Sequence, residues 1–182
     1  MRTGYHWLQL PFQRVEWYAW VWSRLNIPKH RFICWLLARG ALLTKDVITK
    51  WDNSDPLCPL CRMRAETITH LFFECRYSNI TVRLWCSKTG MKSPNQSWIQ
   101  VMKNIKRGHG WTGNQRRILF ACLAGLVYSL WEQRNNAIWN KFLNSPAMWL
   151  NKMLKDIVLR CKYVLQSQLT DREHQWINKL YI

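Results

Sequence analysis

Apolar residues along this chain recur at helical spacing. In the longest apolar run, residues 118–131, Ile118, Cys122, Leu126 and Leu130 repeat every fourth position, the stripe of a helix that buries one face. Thr112 stands ahead of it as the start of a long helix. The run is only fourteen residues long, too short to span a bilayer, so it predicts a buried core helix and no membrane segment. Pro28 opens a second helix through 29–39, with Phe32, Trp35 and Leu36 on one face and Gly40 as its stop. Thr44 caps a short helix to about Trp51, and Asn53-Ser54-Asp55-Pro56 reads as a turn. Residues 79–88 form another helix, apolar at Ile80, Leu84 and Trp85 and ending before Gly90. The stretch Gly90-Met91-Lys92-Ser93-Pro94-Asn95 breaks the chain into halves; a helix at about 96–107 and a Gly108-His109-Gly110 turn follow it. Ser145-Pro146 starts a last long helix carrying Met153, Ile157 and Val164. Sustained apolar–polar alternation is missing, although Val15–Trp22 is aromatic enough to read as a strand. The expected fold class is mainly α.

One segment has a different grammar. Cys58, Cys61, His70 and Cys75 form a C-x2-C-x8-H-x4-C array inside eighteen residues. Two cysteines separated by two residues fit one tight knuckle and aim both sulfurs at one ion. The stretch 66–75, opening with Glu66 and free of Gly and Pro, reads as a short helix. Ligands five positions apart on an ideal helix point about 140° apart, so the last turn is expected to loosen near Cys75. A Cys3His set with no spare position is a structural zinc site, with no bound water to activate. The alternative is three buried free cysteines beside a core histidine. An iron–sulfur cluster fits less well, because it usually takes four thiolates. The expectation is one structural zinc in a small helical domain with a Cys3His knuckle, followed by a helical C-terminal region.

Cys-Pro-Leu-Cys at 58–61, then Glu66-Thr67, His70-Leu71-Phe72-Phe73 and Cys75, resembles the zinc-binding domain of plant reverse transcriptases. That domain follows the polymerase in LINE-type non-LTR retrotransposons. Trp22, Pro28-Lys29, Phe32, Trp35, Leu43-Thr44-Lys45-Asp46, Trp51 and Trp85 extend the likeness, which covers about residues 15–90. Farther on, Trp131-Glu132-Gln133-Arg134-Asn135-Asn136-Ala137-Ile138-Trp139 is similar to a Trp-x-x-Arg-Asn-x-x-Ile-Trp segment that follows the domain in such elements. The resemblance implies a zinc-binding domain at 15–90, a helical region at 91–182, and a polymerase domain as a partner.

Composition adds charge to this picture. The chain of 182 residues carries 27 Lys+Arg against 10 Asp+Glu, a net +17. The excess is spread along it: residues 1–90 hold 13 basic and 6 acidic side chains, the remainder 14 and 4. Such a balance favours a polyanion, above all RNA or single-stranded DNA, or else is a solvated basic face inherited from a larger enzyme. Arg62, Arg64 and Arg76 surround the knuckle; three thiolates and a neutral imidazole around a dication leave a net −1, which these arginines offset while facing phosphates. Sequence-independent contact is expected, since no recognition-helix pattern is visible. Thirteen tryptophans imply that most are packed inside. Seven cysteines is an odd number, and Met1–Trp7 has no apolar leader run, so a reducing, intracellular setting (nuclear or cytoplasmic, not secreted) is expected. Cys34, Cys86, Cys122 and Cys161 have no ligand spacing and read as small buried residues.

Catalytic chemistry has no nominee. Two-metal polymerases and nucleases need carboxylate clusters; here Asp52 and Asp55 read as turn residues, and Asp171 and Glu173 as helix caps. A Tyr-x-Asp-Asp motif and a Gly-rich phosphate loop are both missing, and His6, His30, His109 and His174 have no nucleophile partner. The chain reads as non-catalytic, with no small-molecule substrate. Beside a nucleic-acid-binding module stand two other readings: a zinc-stabilised protein-interaction domain with an apolar Trp-rich surface, and a retrotransposon remnant without selected activity. Arg134 and Asn135 interrupt the apolar stripe between Leu130 and Ile138, and read as a buried polar pair rather than a phosphate contact.

Overall fold

The structure, a computed structural model, describes residues 15–92, 97–108 and 110–181. The expected break at 93–95, the start of the following helix at 96, His109 of the expected turn, and the N-terminal stretch with His6 lie outside them. Among the described residues every regular element is helical, and strand pairing is limited to one isolated bridge, Leu57 with Ala65. The helices are α1 (Tyr18–Val21), α2 (Pro28–Ala38), α3 (Lys45–Asp52), α4 (Arg76–Thr89), α5 (Trp98–Arg107), α6 (Gly113–Trp139), α7 (Pro146–Leu165) and α8 (Asp171–Asn178). A π-helical turn, His70–Glu74, precedes α4, and short 3-10 turns follow α7 and α8.

α6 is the axis of the fold. A capping box starts it: Gln115 N–H donates to the Thr112 hydroxyl, and Thr112 N–H donates to the Gln115 side chain at 2.9 Å. Ile118, Cys122, Leu126 and Leu130 are all buried, as their spacing predicts. So are Leu119, Leu123 and Val127, because α2, α5 and α7 pack on α6 from several sides. Gly125 lies directly against side chains of α7; a Cβ there would lie 2.2 Å from Ile157 Cδ1 and 2.7 Å from Met153 Sδ. One continuous core draws residues from every helix of the described residues except α3, so both halves of the chain contribute to it.

Three local expectations are corrected. Val15–Trp22 is not a strand but contains the single-turn α1. Trp20 and Val21, adjacent in sequence, are both buried, which a period of two forbids, and the Asn26 side chain donates to both their carbonyls (2.6 and 3.1 Å). The buried face of α2 is His30, Cys34 and Leu37, while Phe32 is exposed. His30 stacks on Tyr128 of α6 with ring centroids 4.7 Å apart, and this contact sets the rotation of the helix. In α4, Ile80 faces solvent; Tyr77, Thr81, Val82 and Trp85 face inward, and the helix begins at Arg76, not at 79.

Other expectations hold. Gly40 and Gly90 stop α2 and α4 in the left-handed region (φ 63° and 72°). Asp52 and Asp55 accept backbone N–H bonds two residues on, and Glu173 completes a capping box with Thr170 on α8. Cys34, Cys86, Cys122 and Cys161 are buried free thiols. Most described tryptophans pack on the core, with Trp22, Trp51 and Trp139 the exposed exceptions. No helix among the described residues is long and apolar enough to cross a membrane.

Candidate metal centre

The knuckle is built by a short hairpin. Cys58 N–H donates to the Arg64 carbonyl (2.8 Å) and Glu66 N–H to the Pro56 carbonyl (2.9 Å), closing the loop around the Leu57–Ala65 bridge. Inside it Arg62 N–H donates to the Cys58 carbonyl at 2.8 Å, with Arg62 at φ 57°. This turn carries Cys58 and Cys61. Backbone N–H groups of Leu60 and Cys61 also reach the Cys58 sulfur.

The other two ligand candidates sit at the ends of the π-helical turn. The helix here begins after Thr67, whose hydroxyl accepts the His70 N–H at 2.9 Å. Glu66 is therefore not its first residue, contrary to the expectation for 66–75; its side chain is fully buried elsewhere. From His70 the winding widens, and Cys75 N–H donates to the His70 carbonyl at 2.7 Å, a five-residue step. That extra residue in the turn brings together side chains an ideal α-helix would hold about 140° apart. The expected loosening near Cys75 is this π turn. Leu71 and Phe72, fully buried, anchor it to the core, and the Ser78 hydroxyl binds the Leu71 carbonyl at 2.5 Å.

The four candidate donor atoms lie within 4.8 Å of one another. Cys58 Sγ is 4.0 Å from Cys75 Sγ, and Cys61 Sγ is 3.3 Å from His70 Nε2. A tetrahedral zinc with Zn–S near about 2.3 Å and Zn–N near about 2.0 Å has donor–donor edges of roughly 3.5–3.8 Å, so this cluster fits the ion. Cys75 accepts a hydrogen bond from the Cys58 thiol, and from the Tyr77 and Ser78 N–H groups at the start of α4, and these bonds lower its pKa against the opposing effect of burial. The same hydrogen bond, together with burial, holds the Cys58 proton in place. His70 Nδ1 is buried without a hydrogen-bond partner, and Glu74 Oε2 stands 3.8 Å away. With Nε2 on a metal, Nδ1–H faces that carboxylate, the outer partner a ligating histidine usually has. Among the described residues no other group of His, Cys, Asp and Glu comes together in this way.

Residues 1–85 match the family model described as zinc-binding in reverse transcriptase. Over this stretch the chain resembles a reverse transcriptase zinc-binding domain. The domain and the cluster together support one zinc. The family is a zinc-binding one, not a catalytic one. No curated protein and no solved structure matches the chain.

Around the domain's site, Arg62, Arg64 and Arg76 are all exposed, but not equally free. Arg62 Nη1 pairs with Asp55 Oδ2 at 2.7 Å. A residue that sequence reasoning saw only as a helix opener proves central: Glu66. Its carboxylate takes Arg134 Nε and Nη2, each at 2.9 Å, and the Lys45 N–H at 2.7 Å, so it caps α3 and grips α6 at once. Arg134 also donates to the Leu43 carbonyl at 3.0 Å and to Asn135 Oδ1 at 3.1 Å, and lies over the Trp131 ring. Arg134 is thus a buried ion-pair partner, in line with its structural reading. The available signal was that Glu66 and Arg134 both fall in the segments that carried the family resemblance.

Proposed function

We propose that this chain is a non-catalytic zinc module from the reverse transcriptase of a plant LINE-type non-LTR retrotransposon, binding RNA or single-stranded DNA through its basic surface. Zinc, held by Cys58, Cys61, His70 and Cys75, supplies folding free energy to the knuckle. Residues 15–90 form the zinc-binding domain in this reading, and 91–182 the helical region that packs on it. The observation that carries the reading is the exposure of Arg62, Arg64 and Arg76 around a compact Cys3His cluster, in a chain of net +17. Exposed cations around a buried metal core address phosphates without reading bases. A polymerase domain on the same parent protein is the natural neighbour.

The test is a salt titration of RNA binding. Replacing Arg62, Arg64 and Arg76 together with Gln is expected to weaken binding to RNA of any sequence and to lower the slope of log affinity against log salt by roughly one per lost phosphate contact. Zinc content is expected to stay the same. A second reading, a protein-docking domain, draws on the exposed Trp51, Met63 and Trp139 (71–77% exposed). Apolar docking is insensitive to salt, so binding to a partner that survives high salt favours it over the first.

A further inference from the structure

Beside the knuckle, a cleft opens between its loop and the C-terminal end of α6. It encloses about 430 Å3, the size range of ligand clefts. Lys45, Arg62 and Lys141 line it with Pro59, Ile138 and Phe142, and no acidic side chain does. Asp55, outside the lining, binds Arg62 through its carboxylate and the Lys45 ammonium through its carbonyl (both 2.7 Å), which fixes these two cations at the rim. The Lys141 side chain is exposed and has no ion pair or hydrogen bond among the described residues. Phe142 is 58% exposed, and Trp139, three residues earlier, is 77% exposed.

Cations along an apolar wall, with bare aromatic faces beside them, match a strand that offers phosphates and unstacked bases together. A duplex hides its base faces, and an acidic peptide answers the charges but not the rings. We propose that this cleft seats a single strand of nucleic acid, its phosphates on Lys141, Arg62 and Lys45 and a base stacked on Phe142. The assignment rests on the nucleic-acid reading above and gives Lys141 and Phe142, far from the knuckle in sequence, a direct part in it.

The experiment is fluorescence anisotropy on the zinc-loaded full chain at low salt. The probes are labelled mixed-sequence RNA and DNA single strands of about twelve nucleotides, a blunt RNA duplex, and poly-glutamate as competitor. The double variant Lys141→Gln/Phe142→Ala is expected to lose about tenfold or more in single-strand affinity, with duplex affinity, zinc content and circular dichroism unchanged. Both side chains are exposed, so folding is not at stake. Arg64→Gln/Arg76→Gln, outside the cleft lining, is expected to weaken strand and duplex binding alike. Unchanged strand affinity in the Lys141/Phe142 variant, while wild type binds, overturns the cleft and leaves the general reading standing. Displacement of the strand by poly-glutamate at equal charge overturns it in favour of an acidic peptide. Wild type that binds no nucleic acid at low salt overturns the general reading itself.

Discussion

Replacing Glu66 with Ala tests how the zinc domain is joined to the helical region. The Glu66 side chain is fully buried and that of Arg134 is 5% exposed. Removing the carboxylate deletes three hydrogen bonds, from Lys45 N–H, Arg134 Nε and Arg134 Nη2, and leaves a guanidinium inside with only the Leu43 carbonyl, Asn135 and the Trp131 ring. Breaking one side of a buried ion pair costs about 3–5 kcal/mol, most of it the stranded charge. In a chain of this size that lowers Tm by roughly 10 °C. Removing both partners is expected to cost far less than the sum of the single changes, because Glu66→Ala/Arg134→Ala strands no charge. The assay is thermal unfolding of wild type, both single variants and the double variant in zinc-containing buffer. Additivity within about 0.5 kcal/mol would mean that the two residues do not depend on each other, and would rule out the buried pair as the link between the two regions.

Three further predictions follow from other parts of the molecule. Cys61→Ser removes one ligand candidate, and is expected to release the metal and unfold residues 55–76, seen as lost amide-exchange protection confined to the knuckle. His30 is buried against Tyr128, and burial, with Lys29 and Arg160 adding to it, lowers its pKa from 6.5 to about 4. Its neutral form is the folded form, so the stability it allows is full above pH 6.5 and is lost as pH falls from 6.5 toward 4. His30→Phe keeps the ring contact without the proton, so the stability difference between variant and wild type should grow in the variant's favour across that window; a pH-independent difference contradicts the assignment. Gly125→Val pushes a branched side chain into Ile157 and Met153 of α7, and is expected to lower stability by about 2 kcal/mol in urea unfolding, where an unchanged midpoint contradicts the packing.

The parts of this fold legible in sequence are those set by local chemistry. Thr112, Pro28, Pro146, Gly40 and Gly90 announce where helices start and stop because caps and φ restrictions act within a few residues. The Cys3His spacing was legible for the same reason, down to the need for a widened turn before Cys75. What eluded reading depends on partners distant in sequence. The rotation of α2 is set by Tyr128, about a hundred residues on, so its buried face could not be read from α2 alone. Glu66 reads as the acid that opens a short helix, because its buried role depends on Arg134, which arrives from α6. The short α1 eluded a strand–helix distinction because its aromatic run carries no clear period, and Asn26 supplies the carbonyl partners that settle it.

Whether a zinc ion closes the Cys58, Cys61, His70, Cys75 cluster can be read from X-ray absorption at the zinc edge on purified, folded protein. One zinc per chain is expected, with three sulfurs at about 2.3 Å and one nitrogen at about 2.0 Å. Folded protein that carries no zinc, or zinc surrounded by oxygen donors, would contradict it.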